Sequence, residues 1–398
     1  MATCLPEEIT FYEILLRRST LSIKCWIRLT LVCKRWLSLI TKPGPINSHL
    51  VHSLYLNNTC ESPSVVAHYS GRHTFPEIIV LPNNNSVFYK FKDSVVKICV
   101  QIFGFDPSFL QVESYRHAAG ALHVKLIDSV NGLVCFSHAY AQRVLFIWNP
   151  VTNLFTTVYK PSVVSSATIL NEDSVFYYDP VKGDVKIMHI ELLCWMENTN
   201  SIRVHVYSFN AEVWKEIKDD TLPRTQFKIM RTVKRRPGYT YVQFGSSELV
   251  AFDFNNEVFK RLPYFPSDST INWMGSLCKV RLNYPEQVVY ALDGSNATWM
   301  EKCIVRYSPE ADKLRLRLRL SLSNGDMVVE DKYGTPLWSE AEADQRSRPT
   351  NLISETSGRY YDITPYTESL LCVKGMQDLN KKMKTRREVC NLRKKITR

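Results

Sequence analysis

The stretch Val144–Val158, VLFIWNPVTNLFTTV, decides the fold. It opens with an apolar and aromatic run, continues through a polar turn that contains Pro150 and Asn153, and ends with a second strand-forming run. Two β-branched and aromatic runs on either side of an Asn/Pro turn predict a β-hairpin. The chain is therefore expected to contain antiparallel strands.

The same strand–turn–strand pattern recurs along the chain every 30 to 55 residues. A recurrent hairpin at such a spacing is typical of propeller blades or of another repeated antiparallel array. A β-sandwich or a barrel with similar hairpins is the alternative. Residues 321–360 fit the repeat poorly and could form a surface loop or a divergent blade. The further units are 174–187, 204–217, 249–260 and 304–320, the last ending in strict alternation of Leu and Arg.

The first fifty residues carry a helical pattern instead. Pro6 followed by Glu7 and Glu8 is typical of a helix start. A unit of this size cannot bury several apolar stripes internally, so one face is expected to pack against the next domain or a partner protein. The stripes are Phe11, Ile14 and Leu15; Ile23, Trp26, Ile27 and Leu31; and Leu29, Val32, Cys33 and Trp36.

Composition and charge exclude several classes of protein. The 398 residues are 45% hydrophobic and 22% charged, which is ordinary globular composition and predicts two or three folding units. No apolar run reaches the length of a membrane span. The net charge is +11, of which residues 1–52 carry +4 and residues 381–398 carry +8, leaving −1 on the rest. A nearly neutral body argues against nucleic-acid binding. The basic tail is either a solvated terminus or a nuclear-import or anionic-surface patch.

No pattern of residues indicates catalysis, a cofactor or a metal site. The eleven cysteines contain no CxxC pair and are expected to be reduced, as in a cytoplasmic or nuclear protein. His49 and His52 have no third ligand type nearby, and Cys33 lies on an apolar stripe, which favours packing over nucleophilic chemistry. Asp219 and Asp220 follow a strand and are interpreted as a solvated turn.

The helical segment resembles an F-box. The resemblance rests on Leu5-Pro6-Glu7-Glu8-Ile9, Glu13-Ile14-Leu15 and Leu31–Ile40, LVCKRWLSLI. It implies a small helical module that binds a Skp-type adaptor and, through it, a cullin. The chain departs from the family between Ile14 and Trp36, where it is about three residues longer, and Arg18–Ile23, RSTLSI, replaces a connection that contains a proline in the family. Losing that proline removes a constraint on the helix start, so adaptor binding could be weaker.

The body resembles the F-box-associated (kelch-like) domain of plant F-box proteins, and some elements are closest to S-locus F-box-like proteins. The matching elements are Asn131-Gly132-Leu133-Val134-Cys135, Ile147–Thr152, Tyr177–Pro180, Val206–Ser208 with Trp214, and Tyr366–Leu370 as a closing strand. The resemblance implies a β-propeller-like fold, in agreement with the recurrent hairpins.

These patterns together predict a helical F-box at 1–50, a β-propeller-like domain at 51–380 and a basic tail at 381–398, a mainly β protein with a small α module. The predicted function is that of a non-catalytic, substrate-recognition subunit of an SCF-type ubiquitin ligase, with an unidentified protein substrate and no cofactor. The alternative is an interaction scaffold with a degenerate F-box. The residues expected to bind the adaptor are Leu5, Pro6, Ile9, Ile14, Leu15, Leu29, Val32, Cys33 and Trp36.

Overall fold

The structure is a computed structural model of the chain. Every regular element in the part that it describes is a β-strand. No helix in that part is long and apolar enough to cross a membrane. The predicted F-box and the basic tail lie outside the described residues. These are 64–70, 77–82, 89–90, 124–138, 143–161, 167–179, 181–195, 200–219, 222, 230–236, 238–244, 248–263, 265, 269–273, 276–283, 286–292, 298–306, 316–321, 327–331, 336–339, 350–351, 359–366 and 369–378.

The described residues form 25 strands, numbered in chain order. Their bounds are β1 Ser64–Ser70, β2 Glu77–Pro82, β3 Tyr89–Lys90, β4 Val124–Val130, β5 Leu133–His138, β6 Val144–Asn149, β7 Leu154–Tyr159, β8 Ala167–Asp179, β9 Asp184–Trp195, β10 Asn200–Ser208, β11 Val213–Ile217, β12 Met230–Arg236, β13 Tyr239–Phe244, β14 Glu248–Asp253, β15 Val258–Arg261, β16 Ser269–Trp273, β17 Ser276–Asn283, β18 Glu286–Leu292, β19 Trp299–Arg306, β20 Arg317–Ser321, β21 Met327–Glu330, β22 Pro336–Ser339, β23 Thr350–Asn351, β24 Arg359–Tyr366 and β25 Gln377–Asp378.

The strands pair as antiparallel sheets, named A to E. Sheet A has the order β24-β1-β2-β3, and sheet B has the order β25-β7-β6-β5-β4. Sheet C has the order β11-β10-β9-β8, and sheet D has the order β12-β13-β14-β15. Sheet E consists of two halves, E1 (β16 to β19) and E2 (β20 to β23), which are joined by one parallel residue pair, Asn272 with Leu320. Repeated antiparallel hairpins were predicted from the sequence, and they are confirmed.

The inner strands of successive sheets lie side by side. β24 is next to β4, β4 to β8, β8 to β12, β12 to β16 and β16 to β20. Sheets that share such an axis of inner strands form a propeller-like array, which protects most sheet edges. Sheet A takes its inner strand from residues 359–366 and its other strands from residues 64–90. The pairing of β1 with β24 therefore joins the two ends of the β domain.

Four hairpin turns share one geometry, which is why the repeat is visible in the sequence. Each begins with a polar residue whose side-chain oxygen accepts backbone N–H bonds from residues two or three positions later, a conformation that Asn, Asp and Ser favour. Each then places its fifth residue at positive φ. The starting residues are Asn149, Asp179, Ser208 and Asp253, and the fifth residues are Asn153 (57°), Gly183 (59°), Glu212 (56°) and Glu257 (55°).

Apolar side chains fill the spaces between adjacent sheets. Phe176 and Ile187 belong to the cluster between sheets B and C, whereas Val175 and Met188, on the opposite face of the same strands, belong to the cluster between sheets C and D. Sheet C thus buries apolar side chains on both faces, and β9 reads as a long apolar run that is interrupted by Lys186, His189 and Glu191. This accounts for the weak alternation of β9 in the sequence.

Two details of the sequence interpretation are corrected, and one open alternative is resolved. β19 and β20 were expected to pair as a hairpin over 304–320, but β19 is the outer strand of E1 and β20 is the inner strand of E2. Of the two alternatives left open for residues 321–360, β21 and β22 favour the divergent blade, because they continue sheet E2. The closing strand is β24, which ends at Tyr366, so most of the Tyr366–Leu370 element lies beyond it.

Candidate functional site

The nine residues expected to bind the adaptor all lie outside the described residues, so their role stays a prediction. The structure instead locates the elements that carried the resemblance in the β domain. Three of them lie far apart in sequence but meet at one end of sheet B. They are Asn131-Gly132, Asn149 and Ser369.

Asn149 connects the turn between β6 and β7 to the chain that follows β24. Its side-chain amide donates to the carbonyl oxygens of Ser369 at 3.0 Å and Leu371 at 2.9 Å. Its Oδ1 accepts from the backbone N–H groups of Val151 at 2.9 Å and Thr152 at 3.2 Å. The side chain is fully buried and uses both ends of its amide. A buried asparagine in this role cannot be replaced by an apolar residue without leaving unpaired carbonyl groups.

Gly132 allows Ser369 to approach the hairpin between β4 and β5. Asn131 and Gly132 both have positive φ, 47° and 79°, as a two-residue type I′ turn requires. The Ser369 hydroxyl donates to the carbonyl oxygen of Asn131. A Cβ atom at position 132 would lie 2.6 Å from the backbone nitrogen of Ser369, which is too close for any other residue. Gly132 therefore serves both the turn and the contact.

Residues 369–378 form a C-terminal strap across the end of sheet B. Leu371 and Val373 enter the apolar cluster between sheets B and C. Lys374 forms an ion pair with Glu212 of sheet C at 2.6 Å. The strap ends in β25, where Gln377 pairs with Phe155 of β7 and adds a fifth strand to sheet B. Residues 369–378 are thus an integral part of the β domain.

A network of charged side chains lies in the cleft between sheets B and C. The Lys160 ammonium contacts Glu172 at 2.6 Å, and Arg203 donates to Glu191 from Nε at 2.8 Å and from Nη2 at 2.5 Å. His189 lies between the two carboxylates, with Nε2 at 3.3 Å from Glu191 and 3.7 Å from Glu172. The two acids are balanced by two cations, so the network is neutral when His189 is uncharged.

Hydrogen bonds set the charge state of Glu191 within this network. Burial acts to raise the pKa of Glu191, but hydrogen bonds from His189 and Arg203 outweigh burial and lower the pKa below its ordinary value. Nδ1 of His189 is 2.9 Å from the Ser174 hydroxyl. The Ser174 hydroxyl donates to Nδ1 of His189. The ring proton therefore lies on Nε2, which donates to Glu191. This tautomer is assigned from the network.

Ser174, His189 and Glu191 have the composition of a nucleophile–base–acid triad, but their burial does not suit hydrolysis. Their exposed fractions are 4%, 0% and 1%. A nucleophile must be within reach of its substrate. Glu172, His189 and Glu191 also place ligand-type atoms within 4.8 Å of one another. Lys160 and Arg203 already neutralise the two carboxylates, so a divalent ion would be in excess. The network is best explained as a structural contact within sheet C and with Lys160.

The comparisons with known proteins agree with the motifs that meet at the strap. Residues 101–334, more than half of the chain, match the family described as the F-box associated beta propeller domain. The chain belongs to the plant F-box proteins with an F-box-associated domain.

One relative of this F-box protein comes from Arabidopsis thaliana and is itself named an F-box protein. It is 23% identical over 281 residues, which cover 69% of the chain and 65% of the relative. Among solved structures, TolB from Acinetobacter baumannii has a TM-score of 0.44 at 11% identity, covering 81% of the chain and 73% of TolB. A post-proline cleaving enzyme from Rickettsia typhi has a TM-score of 0.38 at 8% identity, covering 89% and 62%. Scores this low support no argument about function.

Sequence reasoning missed two features of the F-box-associated domain. The buried network has a weak signal, because His189 and Glu191 are polar residues two apart within the apolar strand β9. The role of Ser369 has no local signal, because its partners Asn131 and Asn149 are more than 200 residues away. Asp219 was interpreted as part of a solvated turn, but its carboxylate accepts a hydrogen bond from the backbone of Phe259 at 2.8 Å.

Proposed function

We propose that the chain is the substrate-recognition subunit of an SCF-type ubiquitin ligase. Residues 1–50 would bind a Skp-type adaptor and, through it, a cullin, while the β domain at 51–380 would bind the protein to be ubiquitinated. The observation that carries the proposal is the match of residues 101–334 to the F-box-associated family, together with the F-box pattern that precedes it. The adaptor and the substrate are inferences from family membership.

In this proposal the chain contributes position and no chemistry. A receptor that holds a substrate beside a transferable ubiquitin raises the effective concentration of the reacting groups. The burial of Ser174 and His189 fits a non-catalytic subunit, because the catalytic-like groups of the described domain are enclosed. Ubiquitin transfer itself would be the work of other subunits.

The test is co-purification of the full chain with a Skp-type adaptor. We expect wild type to form a stable complex and the double variant Leu5→Ala, Pro6→Ala to lose it, because large apolar anchors dominate such interfaces, at about 2 kcal/mol or more each. A matched control is the double variant Val181→Ala, Lys182→Ala, which truncates an exposed turn of the β domain. A folded wild-type chain that forms no complex would overturn the proposal.

A scaffold with a degenerate F-box is the second candidate function, and one sequence feature favours it. The segment between Ile14 and Trp36 is about three residues longer than the family pattern, and its connection Arg18–Ile23 has no proline. Shortening this connection distinguishes the two functions. If the shortened chain binds the adaptor and wild type does not, the natural chain is a scaffold that no longer assembles into a ubiquitin ligase.

We also propose that the protein acts in the cytoplasm, the nucleus or both, with the +8 segment at 381–398 as an import signal. The test is the distribution of a fluorescent fusion of the full chain. Replacement of the lysines and arginines of the tail by glutamine is expected to reduce the nuclear fraction. An unchanged distribution would refute a role in import.

A further inference from the structure

The face of half-sheet E1 that packs against sheet D changes from apolar to cationic along strand β17. Leu277, Lys279 and Arg281 alternate along the strand and lie on this face. Leu277 contacts the apolar residues of sheet D, including Tyr241 and Ala251, in one buried cluster. The next two positions on the same face, Lys279 and Arg281, place two cations in the cleft between the sheets.

Lys279 is a buried cation to which the described residues offer no carboxylate. Lys279 is only 3% exposed. Burial lowers the pKa of Lys279 to about 8, so the ammonium form predominates at neutral pH. Buried charges in proteins are normally paired or bind an ion. By comparison, Lys160 and Lys186, which are equally buried, each contact a carboxylate, at 2.6 Å and 3.3 Å.

Arg281 is held in place by aromatic rings. Its Cζ atom lies 5.5 Å from the ring centre of Phe265 and 5.8 Å from that of Tyr290. The two rings are 4.6 Å apart, and Trp299 packs against Phe265 at 5.6 Å. Neighbouring rings that pack against one side of a guanidinium restrict its orientation and leave its N–H groups free to bind a planar anion. Arg281 is thus pre-organised at the rim of the cleft, where these side chains are partly exposed.

The acids on this face lie at its edges. Glu286 pairs in register with Asn283, one side-chain position beyond Arg281. Glu301 pairs with Tyr290 from the outer strand and is exposed. Within the part of the chain that the structure describes, neither forms an ion pair with Lys279 or Arg281. Among the described residues, the cleft therefore has two cations and an aromatic rim, and no carboxylate forms an ion pair with either cation.

We propose that the rim of the cleft between sheet D and half-sheet E1 binds a carboxylate side chain from an acidic segment of a partner protein, with Arg281 as its ion-pair partner and the buried ammonium of Lys279 adding positive charge beneath it. Charge complementarity selects an anion, and the aromatic and arginine rim has the composition of protein-binding hot spots. That this partner is the recruited substrate rests on the proposed function.

The test is fluorescence anisotropy of a labelled hexaglutamate peptide, titrated with the full-length protein at about 0.15 M salt, where loose surface attraction is screened. The variants are Lys279→Met and Arg281→Gln. The matched control is Lys302→Met, which removes an exposed lysine from β19 of the same half-sheet. We expect each site variant to bind about tenfold more weakly or worse, because it removes one of the two positive charges that attract the carboxylate, and the control to bind as wild type.

Stability measurements separate binding from folding. Lys279→Met is expected to melt at a higher temperature than wild type while binding less peptide, a combination that a misfolded variant cannot show. Equal affinity of wild type, Lys279→Met and Arg281→Gln would overturn the proposal. So would an equal loss in Lys302→Met, which would indicate general attraction to a basic protein. Peptide binding needs no adaptor, so its failure is distinguishable from failure of the co-purification test.

Discussion

Replacement of Lys279 by methionine is expected to stabilise the protein at neutral pH. The native pKa is about 8 against an ordinary value of 10.5, a depression of roughly 2.5 pH units. At 1.36 kcal/mol per unit, the buried ammonium costs about 3 kcal/mol of folding free energy wherever it is fully charged. Methionine has a similar length and carries no charge, so it removes this cost and keeps the packing of the stem.

The pH dependence of the difference identifies its cause. Because the folded-state pKa is lowered, the unfolded chain binds more protons between pH 8 and pH 10.5, and wild-type stability relative to the variant rises across that range. The advantage of Lys279→Met should be full below pH 8 and nearly absent at pH 10.5. Urea unfolding of both proteins at pH 7, 9 and 10.5 measures it, with Lys302→Met as the exposed control. The reasoning would be refuted if Lys279→Met were no more stable than wild type at pH 7, or if its extra free energy of unfolding did not change with pH.

Three other substitutions test the strap and the buried network by urea unfolding. Asn149→Ala should cost about 3 kcal/mol, because it removes two buried hydrogen bonds and a turn contact, whereas Asn210→Ala, an exposed asparagine, should cost less than about 0.5 kcal/mol. Gly132→Ala should cost more than about 2 kcal/mol, and Gly183→Ala, which also has positive φ but open space around it, only about 1 kcal/mol; equal losses would show that Ser369 does not crowd position 132. Glu191→Gln should cost about 3 kcal/mol at pH 7, because the partly buried guanidinium of Arg203 loses its carboxylate partner. Since the native pKa of Glu191 lies below 4.5, this contribution should be complete above about pH 4.5 and disappear as the pH falls through the native pKa, and a loss that persists unchanged at low pH would contradict it.

The sequence predicts the hairpins because their turns are local. Asn149, Asp179 and Asp253 each fix a turn through bonds to residues two or three positions away, so a single stretch contains the whole signal. Assignment of strands to sheets is not local. The expected pairing of β19 with β20 was wrong, because strand character and a polar connection do not say whether a turn lies within a sheet or between two sheets.

The candidate site was the least predictable part of the β domain. Arg281 and Phe265 are 16 positions apart, and their contact depends on how the loop after β15 returns to half-sheet E1. Lys279 lies in the stretch LCKVRL, in which alternation with cations suggests a solvated face. Only the packing of sheet D against that face makes Lys279 a buried residue.

The sharing of sheet A between the two ends of the β domain has a consequence for synthesis of the chain on the ribosome. Strands β1 to β3 leave the ribosome early, but their inner partner β24 begins at Arg359, roughly 270 residues after Lys90. At translation rates of about 5–20 residues per second, the edge of β1 would wait roughly 15 to 60 seconds for its partner. During that time it exposes unpaired backbone groups, which attract other strands. Nascent chains stalled before residue 359 should therefore depend on chaperones more than chains released after residue 378.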